Sequence, residues 1–269
     1  MSLSASDLFL SQDLTEEQAR AYLASMGFRD PAAADRHLQA MADDLIVRET
    51  LGSMARELLD GLLGSPNPDA ALVGLSRYVA TRTSRKMFLE YLRDDPRALH
   101  VLIEVLGTSP SLSEILIRDP DDFVWLVNQL DRRGPYDLAR ELDEQDPAEG
   151  KPEDRLDALK RFKRRETLRI AARDLFGRDT LEAATAQLSD LAGLVAERAL
   201  TITAGRMLAA VGRDRSPGAF VVIGMGKLGG RELNYSSDID LIYAYEPEQP
   251  DDRGAHAWFH KLAKGLTAA

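Results

Sequence analysis

Cysteine is absent from the 269 residues. Disulfides and thiolate zinc sites are thereby excluded, and a reducing, cytoplasmic setting fits. Long apolar runs are missing too: none approaches the ~18–20 residues that span a bilayer. Met1 to Leu10 lacks the basic flank and apolar core of a signal peptide. Nor is there an excess of positive charge, because 34 Lys and Arg against 44 Asp and Glu leave a net charge of −10. A general nucleic-acid binder draws its affinity from neutralising phosphates, so any phosphate chemistry here has to come from a local site. Histidine is scarce, with four in all. His256 and His260 stand four apart, but Ala257 occupies the place where a zinc protease helix carries glutamate. Trp258, Phe259 and Leu262 read instead as the packing face of that helix.

What is present is a soluble globular composition, 44% hydrophobic and 29% charged. The length suits one large or two ordinary domains. About the first 215 residues read as successive helices. Thr15-Glu-Glu-Gln18 is a capping box. Pro31 opens a longer helical pattern, with Leu38, Met41, Leu45, Leu51, Met54, Leu58 and Leu62 at three- and four-residue steps. Further helices are predicted at about 68–82, 84–93, 95–106, 110–117 and 120–129, separated by Asp-Pro or Ser-Pro steps. The likeness of Tyr91-Leu-Arg-Asp-Asp-Pro96 to Leu116-Ile-Arg-Asp-Pro120 has only two copies, so stacked irregular helices are preferred to a repeat.

From residue 131 to 154 the periodicity dissolves into Gly134, Pro135, Pro147, Gly150 and Pro152 among acidic residues, which predicts a flexible acidic linker. Helix returns from Leu156 to about Phe176, and a long helix is expected from about Asp179 to Val211. The period then changes. Ala219 to Ile223 is a β-rich run that enters a glycine turn, Gly224-Met-Gly-Lys-Leu-Gly-Gly230, and a second strand reads Ile239 to Tyr245.

Gly224-x-Gly226-x-x-Gly229 after a strand matches the dinucleotide fingerprint, and Glu246 lies about twenty residues on. The context rejects it, because too few residues separate the glycines from the next strand for a crossover helix. Walker A fails because Leu228 follows Lys227. Asp238 and Asp240 are two apart on an expected strand, so they share a face with Cα atoms about 6.6 Å apart. Two such carboxylates repel unless a divalent cation bridges them, and magnesium prefers one or two carboxylates completed by phosphate and water. The glycine turn admits backbone amides to an anion, and Lys227 adds a point charge. These are the parts of metal-assisted phosphoryl chemistry. The alternative is that Ser236-Ser237-Asp238 simply caps a hairpin.

The run Gly224-Met-Gly-Lys-Leu-Gly-Gly-Arg-Glu-Leu-Asn-Tyr-Ser-Ser-Asp-Ile-Asp-Leu241 resembles the signature of bacterial glutamine synthetase adenylyltransferases. Ser109-Pro-Ser-Leu-Ser-Glu-Ile-Leu-Ile-Arg-Asp-Pro120 and Phe162-Lys-Arg-Arg-Glu-Thr-Leu-Arg-Ile-Ala-Ala-Arg-Asp-Leu175 are similar to two helical stretches that precede the site in that family. The resemblance covers most of residues 65–245. It implies a mostly α chain: a helical N-terminal domain over 1–130, the linker, long helices over 155–215, and from 216 to 269 the first strands of a mixed α/β domain of the DNA polymerase beta-like nucleotidyltransferases. It also implies an enzyme with two such halves, one attaching AMP from ATP to a tyrosine of glutamine synthetase, the other removing it by phosphorolysis with release of ADP. Glu232-Leu233-Asn234 resembles the removing, N-terminal half, since the transferring half typically has glycine at the position of Asn234. Asp238 and Asp240 would then be the catalytic, magnesium-holding pair. Gly226, Lys227, Gly229, Gly230, Ser236 and Ser237 would line the nucleotide or phosphate pocket. Glutamine synthetase and the PII signal protein are the implied partners, with neither nucleic acid nor membrane involved. Nothing after Glu246 resembles the third carboxylate segment of the family, so the expectation is a piece of the catalytic domain with negligible turnover by itself. The rival reading is a helical scaffold that binds those partners without catalysis. The basic cluster Lys160 to Arg165 reads as a solvated helix face or, alternatively, as a flank of the anionic site.

Overall fold

A computed structural model describes residues 3–130, 137–146 and 150–268. The chain divides into two compact units, 1–131 and 132–269. Among the described residues there are fifteen helices and a single antiparallel pair of strands, so the fold is mostly α with a small β part, as expected.

The first unit is built from α1 (Asp7–Leu10), α2 (Glu16–Met26), α3 (Pro31–Met41), α4 (Leu45–Ser53), α5 (Ala55–Gly64), α6 (Pro68–Ala80), α7 (Arg85–Asp94), α8 (Pro96–Thr108), α9 (Pro110–Arg118) and α10 (Asp122–Leu130). Thr15 and Gln18 close the capping box at the start of α2. Prolines occupy the first turn of α3, α6, α8 and α9, where a missing N–H costs nothing. The long pattern read from Pro31 onward is three helices rather than one. Asp44 accepts from the Val47 amide and starts α4 afresh, and the chain breaks again at Met54. No proline marks either break, Gly52 lies inside the last turn of α4 rather than past its end, and the hydrophobic period runs through both. Of the residues at these steps, Leu38, Met41, Leu51, Met54, Leu58 and Leu62 are buried core, whereas Leu45, at the start of α4, is 70% exposed.

The second unit begins with α11 (Leu138–Gln145), α12 (Pro152–Leu175) and α13 (Leu181–Ala210). The flexible linker expected over 131–154 falls partly outside the described residues, at 131–136 and 147–149. Its described remainder differs from that expectation, because α11 is a helix with Leu142 buried. Asp146 at its end receives both Arg155, at 2.8 and 2.7 Å, and Arg198, at 2.6 Å. Asp143 and Asp146, two of the acidic residues that argued for disorder, find cationic partners on α12 and α13, which a reading of composition does not register.

After α13 come β1 (Gly218–Gly224), α14 (Gly226–Gly229), β2 (Leu241–Pro247) and α15 (Arg253–Thr267). The strands are antiparallel, with Gly218 opposite Pro247 and Gly224 opposite Leu241. That geometry needs no crossover helix and removes the dinucleotide-binding alternative. Along β1, Phe220 and Val222 point to one face, where they pack with Leu228 and Tyr243 against a core that includes Phe162, Ile170, Leu188, Leu191, Leu233 and Leu266. Phe220 also stacks on Phe259 of α15, with ring centroids 6.0 Å apart. The sheet is thus backed by helices on one side, and its other side is open.

Candidate functional site

The site lies where β1 ends. Gly226 has φ +52°, a left-handed conformation that glycine adopts without strain. The chain then coils through α14 so tightly that a Cβ on Gly229 would sit 2.6 Å from the Gly224 carbonyl oxygen. Gly229 is therefore demanded by the turn itself. Its amide donates to the Met225 carbonyl at 3.2 Å, and that of Gly230 to the Gly226 carbonyl at 3.0 Å. Both amides are consumed inside the turn, so neither serves as the free donor the sequence reading assigned to an anion. The amides of Gly226, Lys227 and Leu228, at the start of the helical turn, have no intrahelical acceptor.

The expected second strand starts two residues late. β2 begins at Leu241, not Ile239, and Asp238 and Asp240 lie in the lead-in to it. The reason is the turn: β1 stops at Gly224, so beyond Met225 no backbone remains for Ile239 or Asp238 to pair with. One further bond, Met225 N–H to the Asp240 carbonyl at 2.9 Å, extends the ladder and ties Asp240 to the glycine turn. By alternation that register places Asp240 on the open face, with Ile242. Both carboxylates are exposed. Neither is paired with a cationic side chain among the described residues.

The lead-in folds over Asn234. Its Oδ1 accepts from the Ser237 hydroxyl at 2.5 Å and from the Ser236 amide at 3.3 Å. Lys227 Nζ approaches Ser237 Oγ to 3.4 Å. The glycine turn and the serines, ten residues apart, are thus brought together with the lysine between them. A cleft of about 430 Å³ opens beside them, with an aliphatic interior of Leu191, Val195 and Leu241 and a mouth that includes Lys163, Asn234, Ser237 and Asp238. Of the basic cluster on α12, Phe162 is buried, Lys160 and Arg161 are exposed, and Lys163 alone lines this cleft. Among the described residues no group of three or more His, Cys, Asp or Glu is placed to hold a metal ion. His256 is engaged elsewhere, with Tyr245 OH at 3.0 Å and the Pro250 carbonyl at 2.9 Å.

Two residues escaped the sequence reading. Tyr235 stands in the quoted motif without a role, and its hydroxyl donates to Asp174 Oδ2 at 3.0 Å. Partial burial, then the hydrogen bond to the Asp174 carboxylate, hold the proton on this phenol and push it far above its ordinary value. The two stand 61 positions apart, which leaves no local pattern to find.

A family model described as glutamate-ammonia ligase adenylyltransferase matches residues 99–269. The chain belongs to this family. It is 35% identical to the bifunctional glutamine synthetase adenylyltransferase/adenylyl-removing enzyme of Chromobacterium violaceum, over 98% of this chain and 30% of that protein. Proteins of the same name from Thioalkalivibrio sulfidiphilus and Mycobacterium tuberculosis H37Rv are 32% and 30% identical, over 87% and 99% of this chain. These matches extend the family likeness beyond the 65–245 stretch legible in the motifs. The chain spans less than a third of the length of these relatives, 26% to 30%. No described helix is long and apolar enough to cross a membrane.

Proposed function

We propose that this chain contributes the nucleotide-and-metal part of a site that acts on adenylylated glutamine synthetase, in the direction that removes AMP. The observation that carries the reading is the fold of the family motif: Lys227 meets Ser237, the exposed Asp238 follows that serine on the lining of the cleft, and the exposed Asp240 is tied through its carbonyl to Met225 in the glycine turn. Such a pair suits magnesium, which takes one or two carboxylates and fills its octahedron with phosphate oxygens and water. When bound, the ion withdraws charge from the phosphoryl oxygens as they rearrange.

The chain's own groups orient the substrate. Lys227 and the Ser236 hydroxyl hold phosphate oxygens, with the first amides of the glycine turn behind them, and the Ser237 hydroxyl joins them only when its proton turns from Asn234 to the phosphate. For removal, an oxygen of inorganic phosphate forms a bond to the α-phosphorus while the bond from that phosphorus to the tyrosine oxygen breaks. ADP leaves, and the tyrosine oxygen regains a proton. For transfer, the tyrosine hydroxyl gives up its proton to solvent as its oxygen bonds to the α-phosphorus of ATP. The bond from that phosphorus to the α–β bridging oxygen breaks, and pyrophosphate leaves. Asn234 supports the removing direction: it is the acceptor that holds Ser237, and glycine at that position would leave the hydroxyl without it. The PII signal protein is a regulatory partner on the same reading.

Titration calorimetry with ADP and magnesium tests this. Magnesium-dependent binding should vanish in the Asp238→Ala/Asp240→Ala double variant, with stability within ~0.5 kcal/mol because both positions are exposed. Nucleotide binding that persists without magnesium and survives both replacements would refute the metal role. Metal-independent capture of glutamine synthetase by the double variant, with no nucleotide binding in either protein, would make the chain a scaffold instead.

A further inference from the structure

The acidic pair sits on a segment that has almost no strand pairing, yet the segment is not left loose. Between α14 and β2 it is fastened to the two long helices at three successive points. Arg231 Nη2 donates to Asp190 Oδ2 at 2.8 Å. The Leu233 amide donates to Ser189 Oγ at 3.1 Å, and the Leu233 side chain is buried. The Tyr235 hydroxyl donates to Asp174 Oδ2 at 3.0 Å. Beyond it, Ser237 is held within the segment by Asn234 and approached by Lys227, and the next bond to the sheet backbone is Met225–Asp240. Asp238 therefore lies between a helix anchor at Tyr235 and a sheet anchor at Asp240, next to a local turn closed by Asn234 and Ser237.

We infer that Tyr235 and Asp174 form a positioning pair that holds the Asp238–Asp240 segment in the geometry that binds the magnesium–nucleotide complex. The inference rests on the function proposed above and deepens it. The physical argument is preorganisation: a carboxylate pair held by its surroundings binds a cation without first ordering the chain that carries it. Of the three fastenings, the tyrosine is the nearest to Asp238. Without it, the free span between anchors grows from Tyr235–Asp240 to Leu233–Asp240, while Asn234 and the two serines lose their rigid base. The bond is charge-assisted, hydroxyl to carboxylate, which is the stronger class. Asp174 lies at the end of α12, beside Arg173, whose guanidinium is held by Asp179 at 2.8 and 2.9 Å. The acceptor is thus on a braced helix end.

The test uses the 269-residue chain. Titration of ADP with magnesium gives the Kd, thermal unfolding gives Tm, and amide exchange of residues 234–240 reports the segment directly. Tyr235→Phe removes one oxygen and keeps the ring. It should weaken magnesium-dependent ADP binding about tenfold, with faster exchange over 234–240 and Tm nearly unchanged. Asp174→Ala should do the same, and the double variant should be no worse than either single one, because both delete one bond. Asp174→Asn keeps an acceptor oxygen and should restore most of the affinity. If the wild type binds and Tyr235→Phe binds equally well, the positioning pair is overturned while the proposed function stands. A loss of affinity that follows a large fall in Tm, or that Asp174→Asn fails to repair, also overturns it. No magnesium-dependent binding in the wild type would remove the proposed function, and this inference with it.

Discussion

The helical first unit and the two-stranded sheet of the second use the same apolar residue types to different ends. In the first unit the helices cover one another. Leu58, Leu59 and Leu62 are at most 1% exposed. Tyr78, Phe88, Tyr91 and Phe123 form an aromatic knot with centroids 5.3 to 6.4 Å apart, and the Tyr78 hydroxyl finds the Pro120 carbonyl at 2.5 Å. In the sheet only one face is covered. Phe220 stacks between Tyr243 and Phe259, at 5.8 and 6.0 Å, while Val221, Ile223 and Ile242 on the other face remain 44 to 53% exposed. Apolar character alone therefore does not say whether a residue is core. In the first unit burial supplies stability, whereas in the sheet the covered face is a foundation and the open face presents the groups next to Asp240.

The sharpest way to break this contrast is in the aromatic knot. Phe123→Ala should destabilise the first unit by about 3–5 kcal/mol, because a fully buried ring leaves a cavity among side chains that cannot collapse into it. Urea unfolding followed by circular dichroism measures this, and a change under 1 kcal/mol would mean the knot is not a core.

The next effect sharpens the account of the second unit. Hydrogen bonding from Arg155, and then from Arg198, holds the Asp146 carboxyl below its usual range against the opposing effect of burial. A depressed carboxyl contributes stability that is complete above its unfolded value, about pH 3.9, and is lost as pH falls through the folded value. Asp146→Asn should cost about 1–2 kcal/mol at neutral pH and flatten the loss of stability below about pH 4. An acid limb identical in the two proteins would show that the ion pairs do not form.

The smallest effect bears on the open face. Val221→Thr and Ile223→Thr should each change stability by less than ~0.5 kcal/mol. A cost of several kcal/mol would show that something covers this face in solution.

Much of the helical part was legible because its signals are local. The capping box at Thr15, the first-turn prolines at 31, 68, 96 and 110, and the bounds of α13 all follow from residues within one turn of the feature. Where the outcome depended on distant partners, the reading went astray. The breaks before α4 and α5 interrupt an unbroken hydrophobic period. Helix α11 could have been suspected from Leu138 and Leu142, four apart, but its acidic residues are settled by Arg155 and Arg198. At the site, the motif marked the correct turn. It could not show that the amides of Gly229 and Gly230 are used internally, because that depends on how tightly α14 folds back.

By itself the sequence determined the helical character, the antiparallel return implied by a short connection, and the clustering of acidic, serine and glycine residues into one motif. All of these are set by interactions between near neighbours in the chain. Tertiary structure alone decided that β2 begins only at Leu241, that one sheet face is buried and the other open, and that Tyr235 is fastened to Asp174. Each of these depends on groups well separated along the chain meeting in space, and the spacing of residues carries no record of such meetings until it folds.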